Sequence, residues 1–505
     1  MILSTRPRWQ GRSQTRHCGI LQSKWRSLYR ADKIPWRGWC RSTVSQSLSN
    51  PPNPMPTIHR DTICALATGA LPSAIALIRL SGPDAFHVAT AMVPAGRPPD
   101  RKATVTILRD QDGRTIDQGV VTCFASPHSY TGEDVVEFSL HGGRATVESA
   151  LSAILRHANV RMAEPGEFTR RAFDSGKIDL TEAEAVADLI EADTIGQRDL
   201  ALAQLAGALK TAYQDWKRQL LECIALVEVS VDFPDEDDAP TDTVDAILER
   251  LVRLETELTT ALQDGEVGES IRDGFRIVLV GAPNAGKSSL LNHLAGRDAA
   301  IVTDIPGTTR DVIEVRLRIG SHLAIISDTA GIRDSDDTIE REGIRRTLSA
   351  IDEADIVLLV VDATSPKLNR ALENDDNTIV VLNKVDLLKD QGPAQPIIDV
   401  SRETLLLSAK TGVGTEHLLQ VLERKISETA TYKTPPLITR ARHRAGLENA
   451  SARLGAARVA LSEGYGAELV AEDIRRAVRE LSALMGEIDV EAVLGAIFSE
   501  FCIGK

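Results

Sequence analysis

Along this chain the spacing of apolar and polar positions changes several times, and each change marks a segment. Between 57 and 176 the apolar runs are short and rich in β-branched residues. Ile75-Ala76-Leu77-Ile78-Arg79-Leu80, Val120-Val121-Thr122-Cys123-Phe124 and Val135-Val136-Glu137-Phe138-Ser139-Leu140 predict strands. Turn-rich Ser81-Gly82-Pro83 and His141-Gly142-Gly143 lie between them, and a helix is expected over 144–156. That pattern belongs to a compact α+β domain. From 177 to 271 the period becomes helical. Thr181-Glu182-Ala183-Glu184 has the spacing of a capping box ahead of an Ala/Leu-rich run, and Val244, Ile247, Leu248, Leu251, Leu254, Leu258 and Leu262 keep one stripe. Between these helices, Asp232-Phe233-Pro234-Asp235-Glu236-Asp237-Asp238 reads as a solvated loop.

Strands and helices then alternate from 272 to 433, as in a mostly parallel, doubly wound sheet. Residues 434–505 return to the helical period. The expected fold class is therefore multidomain α/β plus α. An α+β N-terminal domain is followed by a discontinuous all-helical domain, into which a P-loop, Ras-like domain is inserted.

Composition changes this picture at one end. Residues 1–56 hold four of the five tryptophans, ten Lys/Arg and a single acid, Asp32. They read as an extension outside the fold, either an organellar transit peptide or an over-extended start preceding Met55. The whole chain of 505 residues carries a formal charge of −14, so the part after this basic extension is more acidic still. An acidic body is no general nucleic-acid glue, and any RNA contact must be local. Hydrophobic content of 43% with 26% charged residues fits a globular protein, and no apolar run has the ~18 residues of a membrane span. Six cysteines without a C-x-x-C pair point to a reducing compartment rather than to disulfides or zinc. The expected location is the cytoplasm, or the mitochondrial matrix if residues 1–56 are a transit peptide.

Candidate chemistry centres on Gly281-Ala282-Pro283-Asn284-Ala285-Gly286-Lys287-Ser288-Ser289. It follows the apolar run Phe275–Val280 and opens a helical pattern, the setting of a phosphate-binding loop. Glycines let backbone N–H groups crowd around phosphate oxygens, Lys287 reaches the β- and γ-phosphates, and the Ser288 hydroxyl can ligate Mg²⁺. Four further motifs follow in order. Gly307-Thr308-Thr309 lies in the loop after the first helix, where Thr309 can complete the Mg²⁺ shell. Asp328-Thr329-Ala330-Gly331 places an acid on the metal side and a backbone N–H toward the γ-phosphate. In Asn383-Lys384-Val385-Asp386, the last carboxylate can accept from both guanine donors that adenine lacks. Ser408-Ala409-Lys410 supplies backbone support for the guanine oxygen. Five motifs at strand ends, in this order, specify GTP.

Many Ras-like GTPases place a water-orienting glutamine directly after the Asp-x-x-Gly glycine. Here Ile332 stands there and cannot hydrogen-bond water. Asn284, with the carbonyl-rich loop Thr303-Asp304-Ile305-Pro306-Gly307-Thr308, can instead hold a monovalent cation, and Glu340 can orient water through a second water. The lesser alternative for Glu340 is a solvated helix-start acid.

From about Asp61 to Lys505 the chain resembles the tRNA-modification GTPase family MnmE, also called TrmE. The resemblance rests on the P-loop with Asn284, on Gly307-Thr308-Thr309-Arg310-Asp311, on Pro165-Gly166-Glu167-Phe168-Thr169-Arg170-Arg171-Ala172-Phe173, and on the terminal Cys502-Ile503-Gly504-Lys505. It implies that 57–176 is a folate-binding, dimerising domain, with helical parts at 177–271 and 434–505 and a G domain at 272–433. By that resemblance Arg79, Glu137, Lys177 and Lys505 contact a 5-formyl- or 5,10-methylene-tetrahydrofolate. It also implies potassium at Asn284, Thr303, Ile305 and Thr308, magnesium at Ser288 and Thr309, and catalytic roles for Glu340 and Cys502. The partners implied are a second copy of the chain, the FAD-containing MnmG (GidA) in a heterotetramer, and tRNA, with no membrane. Family members install aminomethyl or carboxymethylaminomethyl groups on C5 of the wobble uridine. One departure stands out: Leu71-Pro72-Ser73-Ala74 replaces a Gly-Arg-Gly-Gly-like stretch, losing an arginine and backbone freedom beside Arg79.

Two functions therefore stand: a GTP-hydrolysing modification enzyme, and a GTP-dependent switch or assembly factor without chemistry of its own. Aromatic content of 4% argues against base stacking as the main RNA grip. Arg440, Arg442, Arg444, Arg453 and Arg458 form the densest basic cluster, either a tRNA-phosphate face or a solvated helix face.

Overall fold

The computed structural model describes residues 61–232, 243–297, 300, 314–328, 349–365, 377–388, 403–431 and 435–488. Near the C-terminus it also describes Leu494, Gly495, Ile497, Phe498, Phe501 and Gly504. The extension 1–56 and the acidic stretch after Asp232 lie outside the described residues.

The first layer is a six-stranded sheet. Its strands are β1 (Thr62–Leu66), β2 (Ser73–Ser81), β3 (Thr104–Arg109), β4 (Thr115–Phe124), β5 (Val135–Gly142) and β6 (Val160–Met162), in the order β3-β4-β5-β2-β1-β6. Helices α1 (Ala85–Met92) and α2 (Arg144–Leu155) supply Val88, Met92, Val147 and Ile154 to a core shared with Ile78, Leu80, Val136, Phe138 and Leu140. The two-residue period of a strand then sends Arg79 and Glu137 to the opposite face, and the register pairs them directly across β2 and β5. A short helix, α3 (Glu167–Asp174), follows β6. Its Arg171 is 1% exposed and donates to carboxylates of Asp61 (3.0 Å), Glu133 (3.2 Å) and Glu167 (3.0 Å). That pairing is what a buried guanidinium requires.

The helical layer comprises α4 (Leu180–Glu191), α5 (Ile195–Leu205), α6 (Ala208–Asp232) and α7 (Thr243–Asp273), then α10 (Ala441–Ser462) and α11 (Ala467–Leu484). One hydrophobic core takes Tyr213, Leu220, Leu251, Leu254 and Leu258 from the earlier helices and Leu447, Leu454, Ile474 and Leu481 from the later ones. The capping box of α4 sits two residues before its expected place. Asp179 caps the helix, accepting from Glu182 N at 2.9 Å while Glu182 Oε2 accepts from Asp179 N at 2.8 Å. Thr181 lies inside the helix and donates to Asp179 Oδ1, because the carboxylate is the better acceptor for two donors at once. A second box, Thr194 with Gln197, starts α5.

The arginine cluster is largely neutralised within this layer. Arg440 pairs with Asp188 (2.6 Å), Arg442 with Glu184 (2.8 Å), Arg444 with Glu269 (3.0 Å) and Arg458 with Glu255 (2.8 Å). Four of the five guanidiniums thus tie helices together, and the cluster is not an open basic face.

The third layer is a second six-stranded sheet. It contains β7 (Phe275–Val280), β8 (Glu314–Ile319), β9 (His322–Asp328), β10 (Ile356–Asp362), β11 (Thr378–Asn383) and β12 (Thr404–Leu406), ordered β12-β11-β10-β7-β9-β8. Every pair is parallel except β8 with β9. Helices α8 (Lys287–Ala295) and α9 (Thr415–Thr429) pack Leu290, Leu294, Leu418 and Leu422 on one face. The chain leaves β7 for β9 on one side and returns to β10 on the other. The carboxyl ends of β7 and β10 therefore form the switch point where open α/β sheets bind ligands.

Candidate functional site

β7 delivers the chain into the phosphate loop with Gly281 at φ 151°, Asn284 at 66° and Gly286 at 97°. Glycine is required at 286 twice over, by the positive φ and because a Cβ there would collide with Asn383 Nδ2. Asn284 adopts the left-handed region without being glycine, a conformation asparagine tolerates better than most residues. Helix α8 starts at Lys287, so its free N–H groups and dipole face the loop. Lys287 is 5% exposed, and its ammonium donates to the carbonyls of Gly281 (2.8 Å) and Ala282 (3.2 Å). Burial pushes its pKa down, with Asp328 opposing. Ser288 Oγ donates to Asp328 Oδ2 at 2.6 Å, so the P-loop hydroxyl meets the acid at the end of β9. A hydroxyl and a carboxylate together form the hard-oxygen donor set that fits Mg²⁺.

The base-reading loops are joined to this loop by one side chain. Asn383, 2% exposed at the end of β11, donates through Nδ2 to the Ala285 carbonyl at 2.9 Å. Its Oδ1 accepts from Lys384 N at 2.8 Å and Ala409 N at 2.9 Å. Ser408 Oγ donates to Asp386 Oδ1 at 2.6 Å, fixing the carboxylate on a short 3₁₀ turn that begins at Val385. Lys384, with φ 69°, pairs with Asp362 at 2.6 Å.

On the first sheet, Arg79 Nε and Nη2 both donate to Glu137 Oε1, at 2.9 and 2.8 Å. Lys177 follows α3 and is exposed; its stem runs along Gly132, where an added Cβ would stand 3.5 Å from Lys177 Cε. The C-terminal segment returns to the same sheet. Phe498 and Phe501 pack with Leu180 and Ala183 of α4, and a Cβ on Gly504 would collide with the Leu66 carbonyl at the end of β1.

Residues 62–177 match the family model described as the GTP-binding protein TrmE N-terminus, and residues 180–502 match the MnmE helical domain. The tRNA modification GTPase MnmE of Hyphomonas neptunium is 51% identical over 447 residues, covering 88% of this chain and 99% of that protein. Those of Maricaulis maris and Parvibaculum lavamentivorans are 47% and 45% identical, each over 88% of this chain and 99% and 100% of their own. The chain belongs to the MnmE family of tRNA modification GTPases. It is a GTP hydrolase, and the doubly wound sheet is its G domain.

Within this MnmE-family chain, the expected GTP residues Asn284–Ser289, Asp328, Asn383–Asp386 and Ser408–Lys410 sit at the carboxyl ends of β7, β9 and β11 and after β12. Thr303–Thr309, Thr329–Gly331, Glu340, Cys502 and Lys505 lie outside the described residues. Sequence reasoning missed Asp362, whose signal is an apolar strand ending in an acid beside Asn383 in the parallel register. Tyr130 lies in none of the quoted motifs and meets Thr169, part of the 165–173 stretch, only through the fold, at 2.9 Å. No described helix is long and apolar enough to cross a membrane.

Proposed function

We propose that this chain uses GTP hydrolysis to drive the modification of the wobble uridine 34 in certain tRNAs. Working with an FAD-containing MnmG-type partner, it adds aminomethyl or carboxymethylaminomethyl groups to C5 from a tetrahydrofolate one-carbon donor. The chain acts as a homodimer in the cytoplasm.

In the G domain, Lys287 and the loop N–H groups bind the β- and γ-phosphates, while Asp386 and the Ser408–Lys410 backbone select guanine. Magnesium held by Ser288 and Thr309, with Asp328 hydrogen-bonded to Ser288, would neutralise charge on those phosphates. Potassium held by Asn284, Thr303, Ile305 and Thr308 would supply the positive charge that an arginine finger supplies elsewhere. Glu340 orients the attacking water, the role that Ile332 cannot fill.

The observation that carries the modification half of this reading is the return of the C-terminal tail to the first sheet. Gly504 lies against Leu66, and Leu66 pairs with Ile78, the neighbour of Arg79. Gly504, which stands between Cys502 and Lys505 in sequence, is thereby held at the end of β1, the strand next to the one that bears Arg79, and this supports a site at the Arg79–Glu137 pair for a folate. The cation serves its carboxylate tail, and the acid serves its ring N–H donors.

One strain comparison tests both halves. Complementation with Cys502→Ser should abolish wobble-uridine modification, read by mass spectrometry of digested tRNA, while the purified variant still hydrolyses GTP. Full modification by that variant would make Cys502 a tail residue of no consequence and take away the feature that separates the modification enzyme from a GTP switch. Hydrolysis should also require potassium and fall in Asn284→Ala, so equal rates in sodium and potassium would remove the cation loop.

A further inference from the structure

The loop between β4 and β5 presents an aromatic residue that none of the motifs includes. Tyr130 is 36% exposed, and its ring centroid lies 5.7 Å from Arg79 Cζ. A surface tyrosine ordinarily turns freely about its side-chain bonds, but this one is tied down. Its hydroxyl shares a 2.9 Å hydrogen bond with Thr169 Oγ1, and Thr169 is fully buried on α3. The next residue back, Phe168, is also fully buried and places its ring 5.8 Å from the same Arg79 Cζ.

The Arg79 guanidinium is thus flanked by two rings and held in plane by Glu137. One ring is part of the core; the other faces solvent. Two residues beyond Tyr130, Gly132 leaves room for the stem of Lys177. An acid–cation pair and a fixed open ring therefore meet on the half-buried face of β2 and β5, with Lys177 against the loop that carries the ring. This is the donor and surface set for a flat heterocycle with N–H edges and a carboxylate tail. The ring adds stacking area without loss of rotamer freedom on binding, because the bond to Thr169 has already removed it.

We propose that Tyr130 is the stacking platform for the heterocycle bound at Arg79 and Glu137, and that Thr169 is the positioning residue that holds its ring. The inference rests on the folate reading above and names how this chain grips the pterin. It also explains the Glu167-Phe168-Thr169-Arg170-Arg171 stretch, in which Arg171 anchors the helix among three carboxylates so that Phe168 and Thr169 reach Arg79 and Tyr130.

The test is calorimetric titration of the full chain with 5-formyl-tetrahydrofolate, alongside thermal melting of each variant. Tyr130→Ala should weaken binding at least tenfold with its melting midpoint unchanged, and Tyr130→Trp should stay within about threefold of the parent. Tyr130→Phe and Thr169→Val should each lose a few-fold, and the double variant no more than either alone, because both remove the same bond. If the parent binds and Tyr130→Ala binds as tightly, the platform is overturned while the folate reading stands. If the parent does not bind, the folate reading falls and the inference with it. Should Tyr130→Ala also melt early, Tyr130→Trp decides: affinity as low as that of the alanine variant overturns the proposal.

Discussion

Glu184 shows how much one carboxylate can carry. It is 2% exposed and accepts from Arg442 Nε (3.0 Å), Arg442 Nη2 (2.8 Å) and His443 Nε2 (2.8 Å), joining α4 to α10. Burial alone would raise its pKa, but the bonds from His443 and Arg442 outweigh burial and hold the carboxyl well below the usual range. For His443, burial wins over the same bond and keeps its pKa below the ordinary 6.5. Both shifts have one sign. As pH falls below about 6.5, unfolded histidine takes up a proton that folded His443 resists, so stability drops. Further down, unfolded glutamate protonates before Glu184 does, and stability drops again. Glu184→Ala should cost about 3–5 kcal/mol, because it leaves the buried His443 and the half-buried Arg442 without their acid. Urea melts from pH 8 to 5 should show a shallower loss in a His443→Gln variant than in the parent. At the nucleotide site, Asp386→Asn should cost a few kcal/mol of guanine recognition and shift preference toward xanthine nucleotides. An unchanged preference in competition binding would take base reading away from Asp386.

At the level of elements, the P-loop and the strand β11 are parts of one device. Gly286 can have no side chain because Asn383 occupies the space, and Asn383 must stand there to hold Ala285 and Ala409 together. Gly286→Ala is expected to push these two loops apart at a cost of about 1–3 kcal/mol or more, since the collision is with a group hydrogen-bonded on both sides. Equilibrium titration with a fluorescent guanine nucleotide should show affinity reduced tenfold or more. The pattern of apolar positions predicted α2 to within one residue and β2 and β5 to within two or three, but only the second half of β4, because residues 115–119 include Asp117, Gln118 and Gly119 and have no buried alternation. It misplaced the α4 cap because two hydrogen-bonding residues, Asp179 and Thr181, compete for the position, and only geometry shows which carries the capping bond.

For the molecule as a whole, the C-terminal residues matter more than their composition indicates. The C-terminal residues Leu494, Ile497, Phe498 and Phe501 share a small core with Leu180, Ala183 and Ala187 of α4. Phe498 also fits against Gly166, whose φ of 68° and close approach leave no room for a side chain. Phe498→Ala should remove about 3–5 kcal/mol from this junction. The loss should appear first as faster hydrogen exchange in α4 and the tail, with the G-domain sheet protected as before. Uniform loss of protection across the chain would mean that the tail is not a local clamp.

The sequence by itself determined the layers, the order of the nucleotide motifs and the family, because period, glycine spacing and the run of short motifs are local properties. It also brought Arg79 and Glu137 to notice, though not their mutual pairing. Only the tertiary structure decided what the remaining charges do. It turned four arginines of the basic cluster, open in sequence between an RNA face and a solvated helix face, onto Asp188, Glu184, Glu269 and Glu255, partners 175 or more residues away. It set Tyr130 on Thr169 across 39 residues and brought Gly504 back to Leu66. Contacts at such separations are fixed by packing two surfaces together, and no window of sequence contains both.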